Sequence, residues 1–188
     1  MIIAWPKVIG HGGEIRTQYG HVIDILPTTL ELLHLSAPEE IRSVRQQPIQ
    51  GTSLAYALND ASAPSQHKVQ YYYIFGSRAI YEDGWKASLA YPNDFLGDNG
   101  PDAGKTFDEN AWELYDMNTD YTERLDLAKQ HPDKLAHLRA LFEQQAKDHN
   151  LYPLITWDDV KNGRIHRNKD SKSLKEEFES ITHRSDEK

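Results

Sequence analysis

The sequence of 188 residues contains no cysteine. This absence excludes disulfides, zinc–thiolate sites and a thiol nucleophile within the chain, although proteins of reducing and of oxidising compartments both manage without cysteine. Basic residues are also few, since 21 Lys and Arg face 29 Asp and Glu and leave a formal net charge of −8. Binding to a nucleic-acid backbone needs clustered Lys and Arg, and no basic stripe is present. We therefore expect no nucleic-acid partner.

Long apolar runs are lacking as well. No run approaches the roughly 18 residues that a membrane span needs, so we expect a soluble chain with no membrane partner. The first six residues lack the basic start and the long apolar core of a secretory signal, and the sequence leaves periplasm and cytoplasm both open. A hydrophobic content of 38% still suffices for a core. The length fits one ordinary domain or parts of two.

The densest cluster of aromatic and β-branched residues lies between residues 71 and 92. Turn residues interrupt it at Gly76-Ser77 and at Asp83-Gly84, which is typical of a short antiparallel meander. At the second turn the glycine tolerates the positive φ that a tight hairpin requires, and the aspartate side chain can close the turn. The pattern predicts that residues 78–81 and 85–91 pair as neighbouring strands.

A further strand and a helix complete this unit. Residues 112–116 predict a fourth strand, and Pro132 suits the first turn of a helix that runs to about Asn150. A sheet of about four antiparallel strands with one helix on a face hides both apolar surfaces. We expect this unit to span residues 69–154. The apolar positions that predict the buried stripe of its helix are Leu135, Leu138, Leu141, Phe142 and Ala146.

The region before residue 60 predicts one main helix. From residue 18 to 35 the apolar positions fall mostly on helical spacing, so this helix should bury one broad face. Pro27 predicts that the helix starts or kinks there, with Asp24 as its cap. Residues 2–5 form a short apolar run that Pro6 ends, which predicts the end of a buried strand and makes Met1 an internal start.

The remaining segments are marked by their composition. Residues 36–50 predict a loop, and residues 51–58 predict a short helix capped by Thr52 or Ser53. Residues 61–68, rich in Ala, Ser and Pro, predict a linker between two units. Residues 155–188 carry charges of both signs with few large apolar residues, so we expect a charged, loosely ordered tail, with a partner-docking helix as the alternative.

The motif Gly76-x-Arg78-Ala79-Ile80, followed by Asp83-Gly84-Trp85-Lys86-Ala87, resembles the C-terminal subdomain of formylglycine-dependent (type I) arylsulfatases, members of the alkaline-phosphatase-like superfamily. Three further pieces follow that family's order across roughly residues 2–154. Residues 21–33 resemble its helix after the last strand of the large sheet, and residues 51–54 its G-x-S segment. Glu113-Leu114-Tyr115-Asp116 with Asp120-x-x-Glu123-x-x-Asp126-Leu127-Ala128 resembles its "L-Y-D-L, D-P-x-E-x-x-N-L-A" signature.

The resemblance implies an α/β fold that is α+β locally. Residues 1–60 then belong to the end of the sulfatase catalytic domain, with its last strand, helix and loop, and residues 69–154 form the small C-terminal subdomain. The implied activity is hydrolysis of sulfuric esters. In that family the nucleophile is a formylglycine made from Cys or Ser in a Cys/Ser-x-Pro-x-Arg motif, and a calcium or magnesium ion held by Asp and Asn residues orients the sulfate.

The catalytic parts of that family find no match here. The two Ser-x-Pro sites, Ser36-Ala37-Pro38 and Ser62-Ala63-Pro64, are followed by Glu40 and Gln66 where the motif requires Arg. The family's metal ligands and catalytic lysine precede the part that this chain resembles. We therefore expect no catalytic residue, no cofactor-binding residue and no metal ligand in this chain, and no turnover by the chain alone. The formylglycine and the calcium or magnesium ion are implied only for the complete enzyme.

Two pairs of residues have alternative interpretations. His21 and Asp24 have the spacing of a metal or acid/base pair, but no third ligand is suitably spaced, which favours a capping aspartate beside a core-edge histidine. Arg78 and Lys86 are cations in the most specific motif and suggest sulfate ligands. Strand cations more often pair with carboxylates on a neighbouring strand, and here Asp116 or Glu113 would serve.

Three weaker patterns favour ordinary structure. Ser53, His67 and Asp83 offer the ingredients of a Ser-His-Asp hydrolase, but no Gly-x-Ser-x-Gly elbow is present. The glycine-rich residues 10–14 lack the spacing of a phosphate-binding loop and predict a surface turn. The acidic residues of the next loop lack the alternation of a calcium-binding loop and predict a solvated segment; they are Asp94, Asp98 and Asp102.

Three hypotheses follow. The first is the C-terminal part of an arylsulfatase-like hydrolase, which shapes one wall of the substrate cleft and has the missing N-terminal catalytic portion as its partner. The second is a non-enzymatic module that binds sugar or protein through exposed tyrosines at residues 71–73. The third is a relic of a truncated gene. The sequence leaves the sulfate ester, the oligomeric state and the compartment undecided.

Overall fold

The computed structural model describes residues 1–10, 12–91, 111–156 and 159. The predicted acidic loop and most of the predicted tail lie outside these residues. The described helices and strands are α1 (Ile25–Leu32), β1 (Glu40–Ile41), β2 (Val44–Arg45), β3 (Val69–Ile74), β4 (Ser77–Glu82), β5 (Trp85–Leu89), β6 (Glu113–Asp116) and α2 (Pro132–Asp148). None of the helices in this part of the chain is long and apolar enough to cross a membrane.

Strands β3 to β6 form one antiparallel sheet in sequence order. The hairpin predicted at Asp83-Gly84 is confirmed, because Glu82 pairs with Trp85 and the two turn residues have φ values of 46° and 87°. Positive φ at both central residues is the property of the type I′ turn that suits the strand twist. The preceding turn lies one residue earlier than predicted, at Phe75-Gly76, with φ values of 45° and 97°.

Helix α2 covers one face of the sheet and forms the core with it. Alternate strand residues point toward the helix, because side chains along a strand alternate between its two faces. The predicted class is confirmed: the fold is α/β, locally α+β, with four antiparallel strands and a packed helix. The fully buried residues of this core are Ile80, Ala87, Leu114, Leu138, Phe142 and Ala146, with Leu135 and Leu141 of the predicted stripe packed at its margin.

A 3-10 turn at Val22–Asp24 leads directly into helix α1, and the two together have their polar side inward. Asp24 and Thr28 are 0% and 4% exposed. The prediction that this helix buries a broad apolar face is therefore wrong within the described residues, where nothing covers that face. The apolar residues left exposed on this segment are Val22, Ile23, Ile25, Leu26 and Leu33. The helix starts at Ile25, so Pro27 lies in its first turn, as predicted, where a backbone N–H would have no partner within the helix.

Three other predictions for the first 60 residues need correction. Residues 2–5 form no strand, and Ile2 is 96% exposed, because a strand requires a hydrogen-bonded neighbour that the described residues do not supply here. The predicted loop of residues 36–50 contains the small hairpin of β1 and β2. Its turn residues Arg42 and Ser43 have φ values of 50° and 65°. The short helix predicted over residues 51–58 is a single 3-10 turn, Ala55–Ala57, and Ser53 Oγ accepts a hydrogen bond from Ala55 N.

Candidate functional site

The acidic residues of the second motif serve the structure of the loop between β6 and α2. Asp120 Oδ2 accepts hydrogen bonds from the backbone N–H groups of Arg124 and Leu125 at 2.7 and 2.8 Å. Asp126 Oδ1 accepts from Leu114 N at 3.0 Å and from Ala128 N at 2.9 Å. Hydrogen bonds from the backbone lower the pKa of Asp120, because they stabilise its ionised form. These carboxylates hold the chain together and are not arranged around a ligand.

Lys86 of the first motif pairs with a carboxylate, as predicted, although the carboxylate belongs to a different residue. Lys86 Nζ lies 2.7 Å from Glu123 Oε1, and not beside Asp116 or Glu113. The Arg78 guanidinium carbon lies 5.6 Å from the ring centroid of Trp112. Arg78 lines a groove of about 370 Å³ between the sheet and α2.

Asp24 is the centre of a buried hydrogen-bond network. Its Oδ1 atom accepts from Thr52 N at 2.7 Å, and its Oδ2 atom accepts from His21 N and faces His67 Nδ1, both at 2.7 Å. Thr28 Oγ1 donates to the Asp24 carbonyl oxygen at 2.6 Å and accepts from Leu54 N at 2.8 Å. We call this network, formed by Asp24, Thr28, His67 and the backbone at residues 52–54, the joint.

The joint corrects the prediction that Asp24 caps α1. The carboxylate makes no capping hydrogen bond to that helix; its oxygens accept instead from Thr52 N and from His21 N at the start of the preceding 3-10 turn, and face His67. Its contact with His21 runs through the backbone N–H of His21 rather than through a metal-type pairing of side chains. Within residues 1–10, 12–91, 111–156 and 159, no group of three or more His, Asp and Glu side chains is arranged to hold a metal ion.

Both ring nitrogens of His67 face acceptors. Nδ1 meets the Asp24 carboxylate, and Nε2 lies 3.1 Å from the carbonyl oxygen of Val69. Each ring nitrogen of His67 therefore already has a protein partner. His67 acts as a connector between α1 and the start of β3.

The hydrolase ingredients named from the sequence do not come together. His67 bonds to Asp24, whereas Asp83 pairs with Lys68 at 2.8 Å on the surface. Ser53 Oγ accepts from a backbone N–H nearby in the chain. The arrangement of a general base between a hydroxyl nucleophile and an orienting carboxylate is therefore not formed by Ser53, His67 and Asp83.

An aromatic layer lies beside the joint on the sheet face opposite α2. The Tyr19 ring stacks on Tyr81 with centroids 3.9 Å apart and meets the His67 ring edge-on at 5.2 Å. The Tyr19 hydroxyl also hydrogen-bonds the Tyr72 hydroxyl. Burial, with this hydrogen bond, raises the pKa of Tyr19 above its ordinary value. Tyr19 thus remains neutral, and the three rings act through packing.

The tyrosines at residues 71–73 do not form one exposed aromatic surface. Tyr71 stacks on His149 of the α2 side at 5.1 Å, and the Tyr73 hydroxyl bonds to the backbone of Ile155. Tyr72 points to the opposite face, as the alternation of a strand requires. The three tyrosines predicted to form the binding surface of a sugar- or protein-binding module thus lie on two opposite faces of the sheet.

An apolar cleft of about 1130 Å³ opens on the other side of α1. Ile2, Trp5 and Ile15 line it together with Val22 and Ile25. Several of the side chains that line the cleft are strongly exposed, with Ile15 at 83% and Val22 at 68%. The cleft continues the exposed face of α1, for which we use the name apolar stripe: Val22, Ile25, Leu26 and Leu33.

No protein-family model matches the sequence. Similar solved structures include the Bacteroides thetaiotaomicron protein BT33336S-sulf, from a locus for metabolism of multiple glycosaminoglycans, with 20% identity and a TM-score of 0.43 over 66% of this chain and 24% of that one. A protein solved with its substrate D-glucosamine-2-N,6-O-disulfate has 21% identity and a TM-score of 0.45 over 69% and 24%. Ps i-CgsB, bound to k-i-k-neocarrahexaose, has 19% identity and a TM-score of 0.48 over 77% and 29%.

As a group these structural neighbours are sulfatases. The likeness is at low identity and partial coverage. The chain spans about a quarter of the length of the solved proteins that it resembles.

The joint is the feature that the sequence did not reveal. Asp24 and His67 are 43 residues apart, and periodicity reports only on neighbours within a few turns of the chain. The local pattern gives no hint of the joint, because Asp24 lies on the polar side of its segment, which in a surface helix normally faces solvent.

Proposed function

We propose that this chain is the C-terminal part of an arylsulfatase-like sulfuric ester hydrolase. It shapes one wall of the substrate cleft and supplies neither the nucleophile nor the metal site. The partner is the N-terminal catalytic portion, which contributes the formylglycine and the calcium or magnesium ion. The sulfate ester is a substrate of the complete enzyme and not of this chain alone.

The observation that carries the proposal is the inverted burial of α1. A helix in a self-sufficient domain turns its apolar face to the core, but here Asp24 and Thr28 are inside and Val22 and Leu26 are 68% and 53% exposed. Contiguous exposed apolar surface marks a site of interaction. The apolar stripe therefore requires a covering surface from outside the described residues.

The catalytic portion is the occupant that we assign to the apolar stripe. The cleft beside the stripe is lined in part by the first six residues of the chain, including Ile2 and Trp5, so a portion preceding them would reach the cleft directly. The resemblance of residues 21–33 to the helix after the last strand of the large sulfatase sheet gives the stripe a sheet to pack on. Helices that flank such a sheet bury their apolar side against it.

The motif residues support the same assignment. Asp120 and Asp126 bond to the backbone, and Glu123 pairs with Lys86. Side chains that are engaged in this way stabilise the subdomain and leave the chemistry to the partner.

Reconstitution tests the proposal. The chain alone is assayed with 4-nitrophenyl sulfate in the presence of calcium or magnesium, and then mixed with the product of the upstream reading frame carrying a Cys/Ser-x-Pro-x-Arg motif. We expect no turnover from the chain alone and metal-dependent turnover from the mixture. Metal-dependent hydrolysis by the chain alone, or the absence of any such reading frame, would contradict the proposal.

A pair of surface variants locates the contact. Leu26→Glu places a charge in the apolar stripe and should abolish association with the catalytic portion without unfolding the chain, because the side chain is already 53% exposed. Leu125→Glu is the matched control, since Leu125 is 58% exposed and lies away from α1. Equal association of both variants would place the partner elsewhere, and self-association lost only in Leu26→Glu would identify a second copy as the occupant.

A further inference from the structure

The segment predicted as a linker, residues 61–68, is bonded along most of its length. Gln18 Nε2 donates to the carbonyl oxygens of Ala61 and Ala63 at 3.0 and 2.8 Å. Gln66 N donates to the Tyr56 hydroxyl at 3.0 Å, and His67 bonds to Asp24. A flexible linker makes few such contacts. The segment is therefore a fixed connection between the first 60 residues and the sheet.

The first 60 residues have little apolar core of their own. Their buried apolar residues are Leu54, Ala57 and Leu58, each 4–8% exposed, whereas the sheet and α2 contribute six residues at 0%. Segments with few buried apolar contacts open at a lower free energy than a well-packed core. The order of this region thus depends on polar contacts, above all on the joint.

The joint is well suited to that task because its members are buried. Asp24 is 0% exposed and His67 is 6% exposed. Removing a partner from a buried charged group leaves that group without its hydrogen bonds, which costs far more than breaking an exposed pair. The ion pair Lys68–Asp83 joins only the end of the segment of residues 61–68 to the β4–β5 turn, and both of its side chains are more than half exposed, so it contributes little.

We propose that the joint is a conformational latch. Closed, it holds residues 14–60 against the sheet face that carries Tyr72 and Tyr81. Broken, it releases that region as a locally unfolding unit while the sheet and α2 remain folded. The latch concerns the chain by itself and holds whether or not the chain belongs to a sulfatase, so its failure and that of the proposed function are separable.

Hydrogen exchange on the full chain tests the latch. Asp24→Asn keeps the shape of the side chain but removes its charge, and His67→Gln keeps one donor but loses the ring. In both variants we expect amides of residues 21–33 and 52–58 to exchange faster by roughly tenfold or more, in line with the cost of an unsatisfied buried group. Amides of β4, β5 and α2 should keep their protection. Trypsin cleavage after Arg16, which lies in the released region and donates to the carbonyl oxygens of Ala57 and Leu58, should accelerate by a similar factor.

Matched variants separate the latch from general destabilisation. Thr28→Val removes the hydroxyl that links Asp24 O to Leu54 N and should release the same amides, whereas Thr28→Ser keeps that hydroxyl and should not. Asp60→Asn alters an exposed carboxylate that accepts from Ser62 and should leave exchange unchanged. Uniform acceleration over α2 and the sheet, loss of the whole fold in Asp24→Asn, or no acceleration at all would overturn the proposal.

Discussion

Lys86 Nζ on β5 lies 2.7 Å from Glu123 Oε1 in the loop that follows β6. The contact joins two of the four sequence pieces on which the resemblance rests, through residues 37 positions apart. Both side chains are partly buried, at 25% and 31% exposure, so solvent screens the pair only in part. The loop of the second motif is therefore fixed to the sheet face opposite α2.

Removing this ion pair should weaken the subdomain slightly. We expect Lys86→Met and Glu123→Gln each to lower the free energy of unfolding by about 0.5–1 kcal/mol, the upper range for pairs near the surface. Urea denaturation of both single variants and of the double variant measures the coupling. Fully additive losses would show that the two side chains do not stabilise each other.

The contact of α2 with the sheet should dominate the stability of the described core. Leu138 is 0% exposed, so Leu138→Ala should cost about 2–5 kcal/mol through lost burial and the cavity left behind. Leu125, at 58% exposure, provides the same chemical change outside the core, and Leu125→Ala should stay within about 0.5 kcal/mol of the original protein. Equal losses for the two variants, measured by thermal or urea unfolding, would place α2 away from the sheet.

The β4–β5 turn should not tolerate a side chain at Gly84. Its φ is 87°, and a Cβ there would collide with the Asn118 side chain. We expect Gly84→Ala to destabilise by at least about 1 kcal/mol, since an L-residue in the left-handed region costs that much before any clash is counted. Gly10→Ala is the control, because a Cβ at Gly10 meets nothing within 4 Å. A Gly84→Ala variant as stable as Gly10→Ala would contradict the turn.

The hydrogen bonds that Asp120 accepts should stop stabilising the folded chain in acid. Hydrogen bonds from Leu125 N and Arg124 N lower the pKa of this carboxyl below its ordinary value of 3.8. A depressed pKa in the folded state means that the stabilisation is complete above the ordinary pKa and disappears as the pH falls through the folded one. Asp120→Asn imitates the protonated acid. The variant should therefore be less stable than the original protein at neutral pH, and this difference in the free energy of unfolding should disappear in acid. A margin that stays constant from neutral pH down to pH 2 would refute the assignment.

Local chemistry made the sheet and α2 predictable. The turn at Asp83-Gly84 is predictable because both residue types accept positive φ. Leu138, Phe142 and Ala146 have the spacing of a helix that packs one face on a core. The β1–β2 hairpin was missed because its turn uses Arg42 and Ser43 at positive φ. Neither residue type signals such a turn, since both normally avoid that region.

Long-range and external contacts limited the rest. The spacing around Val22 and Leu26 identifies an apolar face, but periodicity alone does not say whether that face meets a core or remains exposed. The joint was missed for a related reason. Asp24 and His67 become neighbours only after the intervening chain has folded back, and no pattern in a single sequence indicates that contact.

The strand order β3-β4-β5-β6 bears on the sequence of folding events. The first two connections are two-residue turns, so these three strands can pair with almost no loop to close, whereas the Asp24–His67 contact must close a loop of 43 residues. Contacts between neighbours form sooner than contacts across long loops, because less chain entropy is lost before the contact is made. The hairpins of β3, β4 and β5 should therefore form early. The first 60 residues should pack against them last.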